Sequence, residues 1–139
     1  ILMCVQEAIH VRWSKSIPDF MEKMMEYCLG ALQNKQGKSI FINFITDVSP
    51  ACDCLPMSDT PIVRNIGIAA SLDPVALDQA SADLVNGEAA LPGSCLDTAL
   101  EPGEDKFRAL YPKVDWTHQL AYGQKLKLGN RAYALKEIG

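Results

Sequence analysis

The sequence predicts a small α/β domain, a mixed sheet of few strands with flanking helices, forming part of a longer protein. Three observations carry this. Residues 39–48 are apolar on both faces, with Ile40, Ile42 and Phe44 on one and Phe41 and Ile45 on the other. That is the pattern of a central strand covered on both sides. Two helix starts flank this strand, one at residues 16–19 and one at Asp73 and Pro74. Between them a second short run of small residues, 65–71, leads straight into the later helix. The 139 residues suffice for one domain with a core of its own.

Residues 8–13 alternate loosely and predict a short edge strand. At the first helix Ser16 supplies a cap, Pro18 suits the first turn, and Asp19 sits near the positive end of the dipole. Met21, Met24, Met25, Cys28 and Leu32 recur at helical spacing, with Glu22, Lys23 and Glu26 elsewhere on the wheel. The methionines read as core packing. The helix should stop near 34–37, where Gly37 can take the left-handed C-terminal position. The strand over 39–48 carries Asp47 at its C-terminal end.

Residues 49–64 hold three prolines, two cysteines and two aspartates, and predict a long ordered loop of the kind that is often functional. Asp73 then caps a helix that starts at Pro74, buries Ala76, Leu77, Ala80, Leu84 and Val85, and closes at Gly87. A loop follows over 89–103. One or two helical turns over 105–111 stop at Pro112. A helix over 115–127 is capped by Asp115 and closed by Gly129, and residues 133–138 complete the expected order as a final strand. Ligands gather outside the carboxyl ends of strands in open α/β sheets. The strand ends near Asp47 and near Ser71–Asp73 are therefore expected to lead into one site.

The net charge of −4, with no basic stripe, argues against nucleic acid as a main partner. No apolar run approaches the ~20 residues that span a bilayer, so no membrane role is expected. Five cysteines, Cys4, Cys28, Cys52, Cys54 and Cys95, are odd in number and unevenly spaced. With no secretion signal, they predict a reducing, cytoplasmic setting rather than a disulfide framework. Gly67 lacks the further glycines of a dinucleotide fingerprint, and there is no Walker-type loop. The opening residues, with no initiator methionine and no turn leading in, read as the middle of a longer polypeptide. Residues 1–15 are then a tail and linker, and residues 16–139 the α/β domain proper.

The chemistry points to Cys52-Asp53-Cys54. Side chains two apart on an extended chain share a side, so both thiols can meet one soft metal ion, one iron–sulfur centre or one redox event. Zinc or iron would take a third ligand from Asp47, Asp59 or His118. A structural zinc site usually shows two separated Cys/His pairs, and this sequence shows one, so a loop whose thiols are merely structural remains an equal reading. The carboxylates Asp47, Asp53, Asp59, Asp73 and Asp78 suggest a third reading, a metal-dependent hydrolase with a hard cation on Asp47, Asp53 and Asp73. Capping and solvation already account for Asp73, Asp78 and Asp83. His10 and His118 are the only histidines. His10 reads as solvent-facing and His118, beside Trp116 on a helix, as structural.

Residues 41–54, 58–63, 65–68 and 73–80 together resemble a family of prokaryotic proteins of unknown function. Residues 114–119, Tyr122, Leu128, Gly129 and Tyr133 resemble the end of that family. The resemblance covers most of the chain from about residue 20 onward. Members commonly carry an inserted ferredoxin-like module with two 4Fe–4S clusters. That module ends in a cysteine, usually followed by proline and a short strand, and Cys4–Ile9 resembles this tail with Val5 in the proline position. The resemblance implies that Cys4 is the last thiolate of a Cys-x2-Cys-x2-Cys-x3-Cys run. Its three partner cysteines are not in this sequence, so Cys4 alone holds no cluster.

What the resemblance implies is an iron–sulfur-associated domain with no established reaction. Its partners would be the N-terminal half and ferredoxin module of the same parent chain and a redox partner protein; separately, an apolar face left exposed without that half would bring a second copy, as a homo-oligomer. Two functions are carried forward. One is a redox or metal-linked domain acting through the Cys-Asp-Cys loop, with Cys52, Cys54 and Asp47 as ligands. The other is a non-catalytic binding or assembly domain in which that loop is a structural clasp.

Overall fold

The structure, a computed structural model, describes residues 16–52 and 58–138. Its elements in chain order are α1 (Ile17–Leu32), β1 (Phe41–Ile45), β2 (Gly67–Ser71), α2 (Pro74–Asn86), α3 (Lys106–Leu110) and α4 (Trp116–Lys125). This is the expected small α/β fold. The strand expected over 8–13, with His10, lies outside the described residues, as does Cys4.

The capping chemistry read from the sequence is present. Ser16 Oγ accepts from the Asp19 N–H at 3.3 Å, and Asp73 Oδ1 accepts from the Val75 and Ala76 N–H groups at 2.9 and 3.0 Å. Helix α1 ends at Leu32, and Asn34 and Gly37 beyond it take φ of 61° and 69°. Asparagine and glycine tolerate that left-handed region best.

The sheet of described residues has two strands, β1 and β2, paired antiparallel in the register Phe41↔Ser71 to Ile45↔Gly67. This corrects one expectation. Antiparallel pairing sets Asp47, just past β1, beside the start of β2. It sets Asp73, just past β2, beside the start of β1. The two ends stand apart by the length of the ladder, roughly 17 Å for five residues, and do not form one site.

One face of the ladder packs on α2. Ile45 joins Ile62, Val63, Val85 and Leu96 in the core, with Val48, Phe107 and Leu110 packed against them. Asn43 Nδ2 donates to Asp78 Oδ1 and Ser81 Oγ of α2, both at 3.0 Å. The other face, with Ile42, Phe44 and Ile68, is exposed. The expectation of a strand covered on both sides is therefore met on one side only among the described residues. The apolar pattern is real, but the layer that would cover the second side is not among them.

Helices α1, α2 and α4 form a second packed group around Met25, Val75 and Leu120, all buried. Gly123 sets the spacing there: a Cβ would stand 3.2 Å from Val75 Cγ2 and 3.3 Å from Met25 Sδ. The absence of a side chain lets α4 approach both helices. Met21 and Met25 are buried as expected, whereas Met24 is exposed.

Lys106 closes the loop between α2 and α3. It is fully buried, and its Nζ donates to the carbonyls of Asn86 (3.2 Å), Glu101 (3.1 Å) and Glu104 (3.5 Å). Its own N–H donates to Asn86 Oδ1 at 3.0 Å. Burial pushes the ammonium pKa down, against the pull of Glu104, Glu88 and Glu101.

The final strand expected over 133–138 does not form. Its start is tied to α2 instead, where Arg131 Nε donates to Gln79 Oε1 at 2.8 Å and the Tyr133 hydroxyl to Asp83 Oδ2 at 2.9 Å. A short apolar alternation does not distinguish a strand from an extended segment held by side chains.

Candidate functional site

The loop after β1 is rooted by backbone pairing between its two arms. Ile45 and Val48 carbonyls accept from the Ile66 and Ile62 N–H groups at 2.9 and 2.8 Å. Ile62 and Val63 are fully buried and fix the returning arm in the core. Between these anchors Asp47 takes φ of 48°, and its N–H donates to Asn65 Oδ1 at 2.7 Å. Aspartate tolerates the left-handed region better than most residues, which suits it to this corner.

Farther out, Ser49 Oγ donates to the Ala51 carbonyl at 2.9 Å, and the Tyr111 hydroxyl donates to the Pro50 carbonyl at 2.6 Å. Tyr111 follows α3, and α3 is locked to α4. Asp105 caps α3 by accepting from the Arg108 N–H at 3.0 Å and also accepts from Trp116 Nε1 at 3.0 Å. Arg108 pairs with Asp115 at 2.7 Å. Hydrogen bonds from Thr117, then from Arg108, hold the Asp115 carboxyl below its usual range. The loop is thus pinned two residues before Cys52, which is exposed. Asp53 and Cys54 lie outside the described residues.

The other expected ligands are dispersed. Asp47 is exposed at the loop root. Asp59 Oδ1 accepts from the Thr60 N–H at 2.7 Å, the local turn expected before Pro61. His118 Nε2 lies 3.1 Å from Glu22 Oε1, in the seam between α1 and α4, and its ring stacks on Tyr122. Asp73 is fully engaged, with Oδ1 capping α2 and Oδ2 accepting from the Asn130 N–H at 2.8 Å. That occupation and the antiparallel ladder remove the basis for a hard-cation site joining Asp47 to Asp73.

Among the described residues no group of three or more His, Cys, Asp and Glu side chains stands ready to hold a metal ion. The described donors do not by themselves assemble a metal site, and Cys54 of the loop pair lies outside the described residues.

Sequence reasoning missed the two tethers, Tyr111 to Pro50 and Asn65 to Asp47. The first spans 61 residues, and a tyrosine carries no mark of its acceptor. Reasoning from sequence also missed a cavity of about 390 Å³ between α1, β1 and α2, lined by Met25, Leu32, Phe41, Leu77, Leu120 and Leu128 among others.

Tyr111→Phe is expected to lower stability by about 0.5–1.5 kcal/mol, the ordinary worth of one hydrogen bond. It should also speed alkylation of Cys52, mapped by mass spectrometry against Cys28 and Cys95 in the same chain. An unchanged Cys52 rate would mean that the tether does not order the loop.

The fold and site define a small α/β domain in which Cys52 is exposed on the loop that leaves one end of the ladder. The chain belongs to the family described as Domain of unknown function (DUF362), whose sequence profile matches residues 3–83. The match takes in α1, both strands, the loop between them and most of α2. No curated protein and no solved structure matches the chain. Among the described residues no helix is long and apolar enough to cross a membrane.

Proposed function

We propose that this chain is the metal- or redox-linked domain of an iron–sulfur-associated cytoplasmic protein and acts through the loop Cys52-Asp53-Cys54. The observation that carries the reading is the placement of Cys52: exposed, on a loop rooted in the core and pinned at Pro50 by Tyr111. A thiolate pair on this loop is suited to a soft ion such as iron or zinc, with the exposed Asp47 carboxylate at the loop root as a further ligand. In this reading residues 1–15 are the end of a ferredoxin-like module in the parent protein. Cys4 ligates one of its 4Fe–4S clusters there, with thiolates from outside this sequence. Electrons pass from that module, or from a redox partner protein, toward the loop.

The test is elemental analysis of anaerobically purified chain, wild type beside Cys52→Ser/Cys54→Ser. About one iron or zinc per chain, lost in the double variant, is the expected result. Wild-type chain that takes up neither ion on reconstitution, or a double variant with undiminished metal, overturns the proposal.

A second reading, the assembly domain with a structural loop, is favoured by one separate observation, the uncovered apolar face of the sheet.

A further inference from the structure

The outer face of the ladder is apolar throughout. In the register, Phe44 stands opposite Ile68 and Ile42 opposite Ala70, and Ile40 and Leu72 flank the same end. The exposures are high: Ile40 65%, Ile42 49%, Phe44 69%, Ile68 66% and Leu72 74%. Together these side chains present roughly 700 Å² of contiguous apolar surface, above the ~300–600 Å² of the largest patch on a typical monomer.

We propose that this face is the interface of a homodimer, in which two copies pack their sheets face to face about a twofold axis. The argument rests on area, shape and charge, and is independent of the loop's chemistry. Two copies would bury roughly 1,400 Å², within the ~1,200–2,000 Å² of specific interfaces. A twofold interface sets the same patch against itself, and in this one an apolar face meets an apolar face with no charged side chain between them. Sheets that pack this way sit about 10 Å apart, a gap that two layers of Ile, Leu and Phe fill. The six residues of the face are all uncharged. The net charge of −4 on each chain opposes association from a distance, so added salt strengthens the dimer.

Sedimentation equilibrium of the full chain tests this from about 1 µM to about 200 µM, a span that still populates the dimer of a weak interface of this size at its upper end. The expected wild-type species at the upper end has twice the 15.2 kDa of one chain. Phe44→Thr/Ile68→Thr, which keeps strand-compatible residues on an exposed face, should weaken association at least tenfold with unchanged far-ultraviolet circular dichroism. Phe20→Thr, on the exposed side of α1, should leave it unchanged. A wild-type monomer at the highest concentration overturns the proposal. Loss of the dimer in Phe20→Thr but not in the double variant overturns it in favour of another surface.

Discussion

Gly129→Ala is expected to destabilise the domain by about 2–4 kcal/mol, because it forces apart a side chain that joins two segments. A Cβ on Gly129 would lie 1.9 Å from Asp73 Oδ1, 2.7 Å from Cγ and 3.0 Å from Oδ2. A carboxylate at the end of a loose side chain would swing away at little cost. This one is held by three backbone N–H groups, from Val75, Ala76 and Asn130. Moving it uncaps α2 and releases the segment after α4. Urea unfolding of the wild type, Gly129→Ala, Asp73→Ala and the double variant forms a thermodynamic cycle. Once Asp73 is gone the clash is gone, so the two losses should fall short of additivity by more than about 0.5 kcal/mol. Additive losses would mean that Gly129 and Asp73 act separately.

Lys106→Met should cost a similar amount, about 2–4 kcal/mol, because it leaves the Glu101 and Glu104 carbonyls without their buried donor. The pH dependence identifies the cause. Burial lowers the folded-state pKa of Lys106 below its ordinary value. Between those two values the unfolded chain binds more protons at this site than the folded chain, so stability from this group rises with pH across that window. Below the folded pKa the burial penalty is present in full, and above the unfolded pKa it is gone. Tyr122 and Tyr133 have raised pKa values, from hydrogen bonding to Glu26 and from burial respectively, and act in the opposite sense in alkali. Both tyrosines are present in both proteins and cancel in the comparison. The gap between wild type and Lys106→Met should therefore widen as pH rises from about 7 toward the ordinary lysine pKa of about 10.4. A gap that stays level or narrows would mean that Lys106 is not a desolvated ammonium.

Much of the local structure was legible from residue type. Ser16, Asp73 and Asp115 cap helices because a short polar side chain before a helix reaches the first N–H groups, a rule that needs no tertiary partner. The buried positions of α2, Ala76, Leu77, Ala80 and Val85, followed from the helical period. The long loop after β1 was marked by its prolines and by the apolar residues on either side.

The site was legible only as a loop. Its tethers join residues far apart in sequence, and a hydroxyl such as that of Tyr111 has no sequence pattern that names the carbonyl it will reach. Lys106 was missed for the same reason. A lysine is expected at the surface, and its burial depends on three carbonyls that the loop before it turns inward.

By itself the sequence determined the α/β class, the order of the four helices, the caps of three of them, the two strands and the loop that carries Cys52. These follow from side-chain period and capping, which act within a few residues. Only the tertiary structure decided that β1 and β2 run antiparallel, which places Asp47 and Asp73 at opposite ends of the ladder. It alone decided that residues 133–138 form no strand, with Tyr133 bonded to Asp83 of α2, and that one apolar face of β1 is covered by α2 while the other is exposed. Strand direction and partner choice depend on how distant segments close on one another. An apolar side chain specifies burial without specifying what will bury it.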